Sequence, residues 1–400
     1  MKYIVVLGDG MADRPIQELG GRTPLQAAKK PNMDYIAAKG RCGLLRTLSD
    51  GFPLGSDVAN LSILGYDPRE YYSGGRGPLE AASQGIKLEK CDIALRCNLV
   101  AEDGGILTDH GGGHVSSEEA ASLMAAASKA FGKKGVEFYP GVGYRNLLVL
   151  RGKYSTDVSL TPPHDIVGQR IDAHLPNQTS DAGKETAELL SNIMLASRSI
   201  LGAHPVNEKR RTEGKPAANM LWFWGAGRRL ELPKFKKKFG VSGALISAVD
   251  LLRGIAIYLG LEVIDVPGAT GYYDTNYEGK ADAAIAALSK HDFVYVHVEA
   301  TDEAGHEGSV QRKVAAIEAL DKRLIGRILN SLEGTKFSIA VLPDHATPVS
   351  VRTHTTDPVP FAIYSPQKEG DSVCLYDEAS AARGSYGVRD GKEFMKLLFG

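Results

Sequence analysis

The stretch that decides the fold is "YIVVLGDGMAD", residues 3 to 13. Its first six residues form a continuous apolar run, which ends where Gly8 meets Asp9. Such a run predicts a β-strand that is buried on both faces. Open α/β sheets place their ligands at the carboxyl ends of their strands, so Asp9 stands where a functional site is expected.

Two stretches near the other end of the chain repeat this design: "DFVYVHVEATD" (292–302) and "FSIAVLPDHATP" (337–348). Between them, residues 309–329 carry apolar side chains at helical spacing, and these are predicted to face the core: Val310, Val314, Ile317, Leu320, Leu324 and Ile328. A further helical pattern over 23–40 is expected to end at Gly40. This alternation of strands and helices predicts a doubly wound, mostly parallel α/β sheet.

The middle of the chain is less regular. Four hundred residues are more than one core usually supports, and the middle is rich in turn residues apart from a predicted helix at Leu189 to Leu201. The strands that end in acidic groups lie on both sides of it. We therefore expect residues 1–75 and 240–400 to form one discontinuous catalytic domain and residues 76–239 to form a second α/β domain inserted into it.

The composition excludes several classes of partner. A formal net charge of −1 gives no electrostatic reason to expect nucleic acid or an anionic membrane. The first apolar run is too short for a signal peptide, and no run approaches the roughly 20 residues that cross a bilayer. The four cysteines lack CxxC spacing, which favours reduced thiols and a cytoplasmic location. The sequence does not specify an oligomeric state.

Aspartate and histidine side chains cluster after the predicted strands. Asp302 and His306 are four residues apart, so one helical turn or a tight loop can aim both at one ion. Asp344 and His345 are adjacent, so their side chains diverge and could serve two ions, and His354 follows in "RTHTTDPVP". Mixed Asp and His ligation suits Mn²⁺, Zn²⁺, Co²⁺ or Fe²⁺ and tolerates Mg²⁺.

Two residues in this pattern keep simpler interpretations open. His297 lies inside a predicted strand, and we interpret it as a core histidine with satisfied hydrogen bonds. Asp9 could merely cap the element that follows it, because Asp is a preferred N-cap residue. The placement of all these groups at the ends of separate strands favours a shared site over isolated structural roles.

Ser56, in "PLGSDVANLSILG" (53–65), is open to two interpretations. It stands at the entrance of an apolar, helix-like run, so its hydroxyl could cap that helix. Alternatively, the hydroxyl could be a nucleophile if the rest of the chain brings a metal ion to it, because a bound cation lowers the pKa of an attached oxygen.

The motifs carry a family resemblance. "VVLGDGMAD", "GSDVAN", "TDEAGH", "PDHATP" and "THTTDPVP", in that order, resemble the alkaline phosphatase superfamily of two-metal phosphoryl-transfer enzymes. Within it, the chain is similar to the cofactor-independent phosphoglycerate mutases, and especially to their archaeal-type branch. The resemblance covers essentially the whole chain, including "GGRGPLEAASQGI" and "CDIALRCNLV".

The resemblance implies an alkaline-phosphatase-like fold and an isomerase of glycolysis and gluconeogenesis that interconverts 2- and 3-phosphoglycerate through phospho-Ser56. It implies two divalent ions, with Mn²⁺ or Mg²⁺ favoured over Zn²⁺ or Co²⁺, and no organic cofactor. The implied ligands of one ion are Asp302, His306 and His354, and those of the other are Asp9, Asp344, His345 and the hydroxyl of Ser56.

The inserted domain is expected to bind a small phosphorylated hydroxy acid through polar and basic side chains. Arginine is the expected type because its planar fork matches a carboxylate or a phosphate. The candidates are Arg76, His114, Arg145, His164, Asp165 and Arg228, and for each of them a structural role is an equal alternative.

Two other functions fit parts of this pattern. A phosphatase, or a phosphotransferase that acts on another small hydroxy acid such as homoserine, would use the same core, because the insert would choose the acceptor. A binding or regulatory protein built on an inactive core would have lost a metal ligand or the serine. All seven implied ligand positions hold a suitable residue, which favours an enzyme.

Overall fold

The chain forms two compact units, Met1–Tyr72 with Glu231–Gly400 and, between these segments, Ser73–Leu230. The structure is a computed structural model that describes residues 1–48, 51–72 and 74–400. Its strands are, in chain order, β1 Lys2–Gly8, β2 Arg41–Arg46, β3 Ile93–Asp103, β4 Ile106–Asp109, β5 Val136–Val142, β6 Arg145–Leu150, β7 Val158–Ser159, β8 Asn177–Gln178, β9 Met220–Arg228, β10 Gly243–Ile246, β11 Glu262–Val263, β12 Phe293–Val298, β13 Phe337–Leu342, β14 Val359–Tyr364 and β15 Gly387–Asp390.

Helices connect these strands. They are α1 Pro24–Ala27, α2 Pro31–Lys39, α3 Ser56–Ile63, α4 Pro68–Tyr71, α5 Gly77–Ser83, α6 Ser117–Phe131, α7 Lys184–Gly202, α8 Pro205–Thr212, α9 Phe235–Phe239, α10 Asp250–Leu259, α11 Tyr277–Ala287, α12 Ala300–Glu307, α13 Val310–Ala319, α14 Gly326–Ser331, α15 Glu378–Ala381 and α16 Phe394–Phe399. Within the described ranges, no helix combines the length and the apolar character needed to cross a bilayer.

The first unit is built on an eight-stranded sheet in the order β11-β10-β12-β1-β13-β14-β2-β15. Its pairings are parallel except those of β14, which runs against both of its neighbours. Every residue of β12 and β13 is buried, because helices cover both faces at the centre of the sheet. The predicted doubly wound, mostly parallel sheet is confirmed.

Two predicted helices differ in detail from the structure. The pattern over 23–40 forms α1 and α2 rather than one helix, because Pro31 starts a new helix and disfavours helical backbone at Lys30. Gly40 does end α2, but with extended backbone. A Cβ there would lie 2.3 Å from the carbonyl oxygen of Ile363, so close packing requires the glycine.

The predicted helix over 309–329 is continuous but not uniform. A π-helical segment, Leu320–Ile325, joins α13 to α14. Four residues of the predicted apolar stripe, Ile317, Leu320, Leu324 and Ile328, are fully buried. Val314 is half-buried against the same core, and Val310 is half-buried at the start of α13. The wider turn also directs the buried carboxylate of Asp321 onto the start of α2, where it accepts from the backbone N–H of Met33 at 2.7 Å.

The second unit has a sheet of a different kind. Strand β3 pairs with β4, β6 and β9, β6 also pairs with β5, and all of these pairings are antiparallel. Side chains of β3 and β9 pack with those of α6 and α7 in a separate core. The predicted helix at Leu189 to Leu201 lies within α7.

Candidate active site

Three neighbouring strands deliver polar side chains to one edge of the first unit's sheet. Asp9 directly follows β1, Asp344 and His345 follow β13, and α12, which follows β12, carries Asp302 and His306 one turn apart. Because β1 lies between β12 and β13 and all three run parallel, these side chains meet at the carboxyl edge of the sheet.

Asp302, His306 and His354 form one tight group. His306 Nε2 lies 3.1 Å from Asp302 Oδ2 and 3.1 Å from His354 Nε2, and His354 Nε2 lies 3.6 Å from Asp302 Oδ1. Atoms this close to one another, from one carboxylate and two imidazoles, are arranged as the ligands of a single cation are.

Backbone carbonyls orient both imidazoles of this group. His306 Nδ1 lies 3.0 Å from the carbonyl oxygen of Arg352, and His354 Nδ1 lies 2.8 Å from that of Leu54. A carbonyl only accepts hydrogen bonds, so each Nδ1 carries a hydrogen, and in the neutral imidazole each Nε2 can turn a lone pair toward the group. This is the arrangement typical of metal-binding histidines.

Asp9, Asp344 and His345 form a second group that is completely buried. His345 Nε2 lies 3.4 Å from Asp9 Oδ1 and 3.5 Å from Asp344 Oδ2, and the hydroxyl of Ser56 lies 3.1 Å from the same nitrogen. Asp9 Oδ1 is buried and has no hydrogen-bond partner among the described residues, so it is available to a cation.

Ser56 begins α3 but does not cap it. The N-cap residue is Gly55, and no side chain caps this helix. The capping interpretation of the Ser56 hydroxyl is therefore wrong, although the serine does stand at the helix start. Its hydroxyl faces His345, and the positive end of the helix dipole at the start of α3 favours an anion there.

The two groups are contiguous. The rings of His345 and His354 stack with centroids 3.8 Å apart, and Asp302, His345 and His354 offer ligand atoms that all lie within 4.8 Å of one another. The seven residues predicted as ligands therefore lie together in one cluster. Their roles as ligands remain a prediction.

The cluster concentrates negative charge. Burial raises the pKa of Asp9 well above its usual value, and repulsion from Asp344 adds to the shift. Burial opposes ionisation of Asp302 too, but hydrogen bonds from His306 and His354 hold its pKa well below the usual value. In the described part of the chain, the ion-pair partners of Asp9, Asp302 and Asp344 are histidines, with no lysine or arginine among them.

Sequence reasoning missed side chains that support this cluster. Asn60 Nδ2 donates to Asp344 Oδ2 at 2.8 Å, and the hydroxyl of Tyr295 donates to Asn60 Oδ1 at 2.7 Å. The signal for Asn60 was its position one helical turn after Ser56. His297 is a satisfied core histidine, as interpreted, with one ring nitrogen 3.3 Å from the Ser247 hydroxyl and the other 2.8 Å from Asp9 Oδ2.

The second unit gathers basic and aromatic side chains around His164. Its ring lies 5.3 Å from that of Trp224 and 6.3 Å from that of His110. The Arg96 guanidinium lies over Trp224, 4.6 Å from the ring centroid. Burial lowers the pKa of His164, and the positive charges of Arg76 and Arg96 act in the same direction against the effect of Asp165. We call Arg76, Arg96, His110, His164 and Trp224 the basic cluster.

The other candidates in this unit are placed differently. Asp165 is exposed beside His164, 3.7 Å from its Nε2, and Arg145 is exposed over the ring of Tyr144. Exposed His114 occupies left-handed backbone at φ 55°. Arg228 donates to the carbonyl oxygens of Cys91 at 2.6 Å and Tyr154 at 3.1 Å, which ties two segments of the unit together.

Comparison with known proteins agrees with this architecture. A family model described as 2,3-bisphosphoglycerate-independent phosphoglycerate mutase matches residues 37–207. A relative of that name from Methanosarcina mazei is 52% identical, over 100% of this chain and 99% of the relative. A solved structure of a Pyrococcus horikoshii protein has a TM-score of 0.85 at 33% identity, and covers 99% of this chain and 96% of its own.

A second solved structure extends the agreement. The cofactor-independent phosphoglycerate mutase from Thermoplasma acidophilum matches with a TM-score of 0.69 at 31% identity, over 100% of this chain and 99% of its own. The sheet and its edge cluster define an α/β protein with a polar site at the carboxyl ends of its parallel strands, as the fold prediction expected. Identity over the full length then settles the family. The chain belongs to the 2,3-bisphosphoglycerate-independent phosphoglycerate mutases, which are isomerases.

Proposed function

We propose that this chain interconverts 2-phosphoglycerate and 3-phosphoglycerate by moving the phosphoryl group to and from Ser56, without 2,3-bisphosphoglycerate. The observation that carries the proposal is the 3.1 Å approach of the Ser56 hydroxyl to His345 Nε2 in a buried Asp–His cluster. Family membership favours this reaction over hydrolysis or over transfer to another hydroxy acid.

The cluster fits divalent ions. Asp9 Oδ1 is a buried oxygen without a hydrogen-bond partner among the described residues. Burial raises the pKa of Asp9, repulsion from neighbouring carboxylates adds to the shift, and an added cation would relieve that repulsion. Mixed carboxylate and imidazole donors suit Mn²⁺, accept Mg²⁺, and are shared by Zn²⁺ and Co²⁺. We assign one ion to Asp302, His306 and His354 and the other to Asp9, Asp344, His345 and Ser56.

When bound, two divalent ions would lower the pKa of the serine hydroxyl and offset charge on the transferring phosphoryl group. The Ser56 oxygen, having given up its proton, attacks phosphorus as the bond from phosphorus to the glycerate oxygen breaks, and that oxygen takes a proton. The N-terminal end of α3, which begins at Ser56, then stabilises the phosphate on that residue. Return of the phosphoryl group to the other glycerate hydroxyl completes the isomerisation, and no organic cofactor is needed.

We assign recognition of the substrate's carboxylate to the basic cluster of the second unit. Arg76 and Arg96 of the basic cluster combine positive charge with partial burial, which suits a small carboxylate, and the His164 imidazole beside them can add a hydrogen bond. Arg96 is itself oriented, because its Nε donates to Glu80 at 2.6 Å. All four cysteines are free thiols, which supports a reducing cytoplasm as the setting of the reaction.

The test is to incubate the Mn²⁺-supplemented protein with 3-phosphoglycerate, omit 2,3-bisphosphoglycerate, and follow 2-phosphoglycerate and free phosphate. We expect 2-phosphoglycerate to form until equilibrium with little phosphate released. Release of phosphate without the isomer would overturn the mutase assignment and leave a phosphatase.

A further inference from the structure

The hydroxyl of Thr347 connects the two proposed ion sites. This buried residue donates from Oγ1 to Asp302 Oδ1, in the first group of ligands. The same oxygen lies 3.2 Å from His345 Nδ1, in the second group. Thr347 is not itself predicted to be a metal ligand, but its hydroxyl contacts one predicted ligand of each ion.

The hydrogen bonds of Thr347 have a definite direction. A hydroxyl has one hydrogen to donate, and an ionised carboxylate only accepts, so the Thr347 hydrogen goes to Asp302. The hydroxyl oxygen must then accept from His345, which requires the hydrogen of that imidazole to be on Nδ1. The opposite nitrogen, Nε2, faces Asp9, Asp344 and Ser56 and keeps its lone pair.

The surroundings of Thr347 hold it in this place. A Cβ on Gly10 would lie 2.5 Å from Thr347 Oγ1, and a Cβ on Gly305 would lie 2.8 Å from its methyl carbon, so the backbone closes on the side chain from both of these residues. The ammonium group of buried Lys313 donates to the Thr347 carbonyl oxygen at 2.8 Å. The side chain therefore has little freedom to turn its hydroxyl elsewhere.

We propose that Thr347 is a positioning residue for both ions: its hydroxyl orients Asp302 and sets the His345 tautomer that presents Nε2 to the second ion. The inference rests on the metal centre of the proposed function. Removing a group that orients a metal ligand by a hydrogen bond commonly weakens metal affinity by roughly 10-fold to 100-fold.

The first experiment is a calorimetric titration of metal-free protein with Mn²⁺. Thr347→Val keeps the shape of the side chain and removes the hydroxyl, and it should weaken both binding steps by about 10-fold or more. Thr347→Ser keeps the hydroxyl and should bind like the wild type. Thr186→Val, the same change at a buried threonine of the second unit whose hydroxyl accepts from Ser155, should have no effect.

Unchanged affinity in Thr347→Val, or weakening of only one step, would overturn the proposal. Equal weakening in Thr347→Ser would assign the effect to the methyl group and would also overturn it. Failure of the wild type to bind two Mn²⁺ ions would instead overturn the proposed metal centre.

The second experiment needs no ion. Long-range ¹H–¹⁵N spectra of metal-free protein labelled at histidine report which ring nitrogen carries the hydrogen, and His345→Gln identifies the signals of His345. We expect the Nδ1–H tautomer in the wild type and in Thr347→Ser, and a shift toward Nε2–H in Thr347→Val. An Nε2–H tautomer in the wild type would overturn the proposal whatever the Mn²⁺ titration shows.

Discussion

The hydroxyl of Ser56 lies 3.1 Å from Nε2 of His345, although 289 residues separate them in the chain. Strand β13 brings His345 to the sheet edge, and α3 presents Ser56 there as its first residue. The serine contributes nothing to capping α3. Its position is therefore explained by the chemistry of the site and not by the stability of the helix.

Ser56→Ala should abolish isomerisation while leaving the fold intact. Loss of a nucleophile commonly lowers kcat by at least about 10³-fold, and the hydroxyl caps no helix. The measurements are conversion of 3-phosphoglycerate and mass spectrometry of acid-quenched protein for a phosphoserine. Ser62→Ala, in the same helix, is the matched control, and it should keep both the isomerase activity and the phosphoserine. Substantial activity in Ser56→Ala would place the nucleophile elsewhere.

Divalent ions should bind more tightly as pH rises, and binding should release protons. Burial raises the pKa of Asp9 well above its usual value, and the hydrogen bond to Asp302 raises the pKa of His306 to about 9. His306 therefore holds a proton at neutral pH in the metal-free protein, the raised pKa of Asp9 favours its protonated form, and both groups must be free of these protons to act as ligands. Competition from these protons therefore fades as pH approaches 9.

Calorimetry in buffers of different ionisation enthalpy measures this proton release. The apparent affinity for Mn²⁺ should increase over the range from about pH 6.5 to about pH 9. The His306→Gln variant should release fewer protons when it binds Mn²⁺, because a glutamine side chain does not titrate. An affinity that is independent of pH, with no proton release, would contradict the protonated state of the metal-free cluster.

Lys313→Met should destabilise the first unit strongly. The side chains of Lys313 and Asp13 are both fully buried and pair at 2.9 Å. Removing the lysine leaves an unpaired buried carboxylate, which costs about 3–5 kcal/mol in the free energy of unfolding. Urea unfolding measures the loss, and the double variant Asp13→Asn with Lys313→Met should recover part of it.

The matched control for Lys313 is a pair of the same kind at the surface. Arg323 and Glu278 pair at 2.7 Å and are each more than 40% exposed. Arg323→Met should change stability by no more than about 1 kcal/mol. Equal effects of the two substitutions would show that burial of the Lys313 pair carries no special energetic weight.

His164→Asn should raise the KM for 3-phosphoglycerate by about 10-fold, because one contact to a charged ligand group is worth about 1.5–3 kcal/mol. The matched control is His174→Asn in the same unit, since half-buried His174 contacts Gln169 outside the basic cluster. The test is to measure the KM of both variants for 3-phosphoglycerate by steady-state kinetics. An unchanged KM in His164→Asn would remove His164 from the substrate site.

The three central strands and the cluster of Asp and His side chains at their carboxyl ends could be predicted from the sequence. Each of the three central strands is a continuous apolar run that ends in an acidic or imidazole group, and parallel strands bring such ends together. The division of the pattern over 23–40 was also readable, because Pro31 marks a helix start. The π-helical segment Leu320–Ile325 was not, since its apolar spacing is compatible with an ordinary α-helix.

The supporting residues and the basic cluster could not be predicted in the same way. Nothing in the composition around Thr347 shows that its hydroxyl meets Asp302, because that contact depends on how the segment after β13 packs against α12. In the second unit, antiparallel register places Arg96 beside Trp224, and register cannot be read from side-chain type. Arg228 was a candidate by residue type alone, yet its guanidinium bonds to backbone carbonyls.

The order of strands in the first unit also governs how the chain can fold during synthesis. Strand β1 is made first, but it pairs Tyr3 with Phe293 on one side and with Ser338 on the other. At ordinary rates of translation, β1 waits on the order of tens of seconds for both partners. The second unit is a contiguous stretch and is complete well before them. This apolar central strand of the sheet is thus a nascent-chain segment that needs protection from aggregation until the ribosome has passed β13.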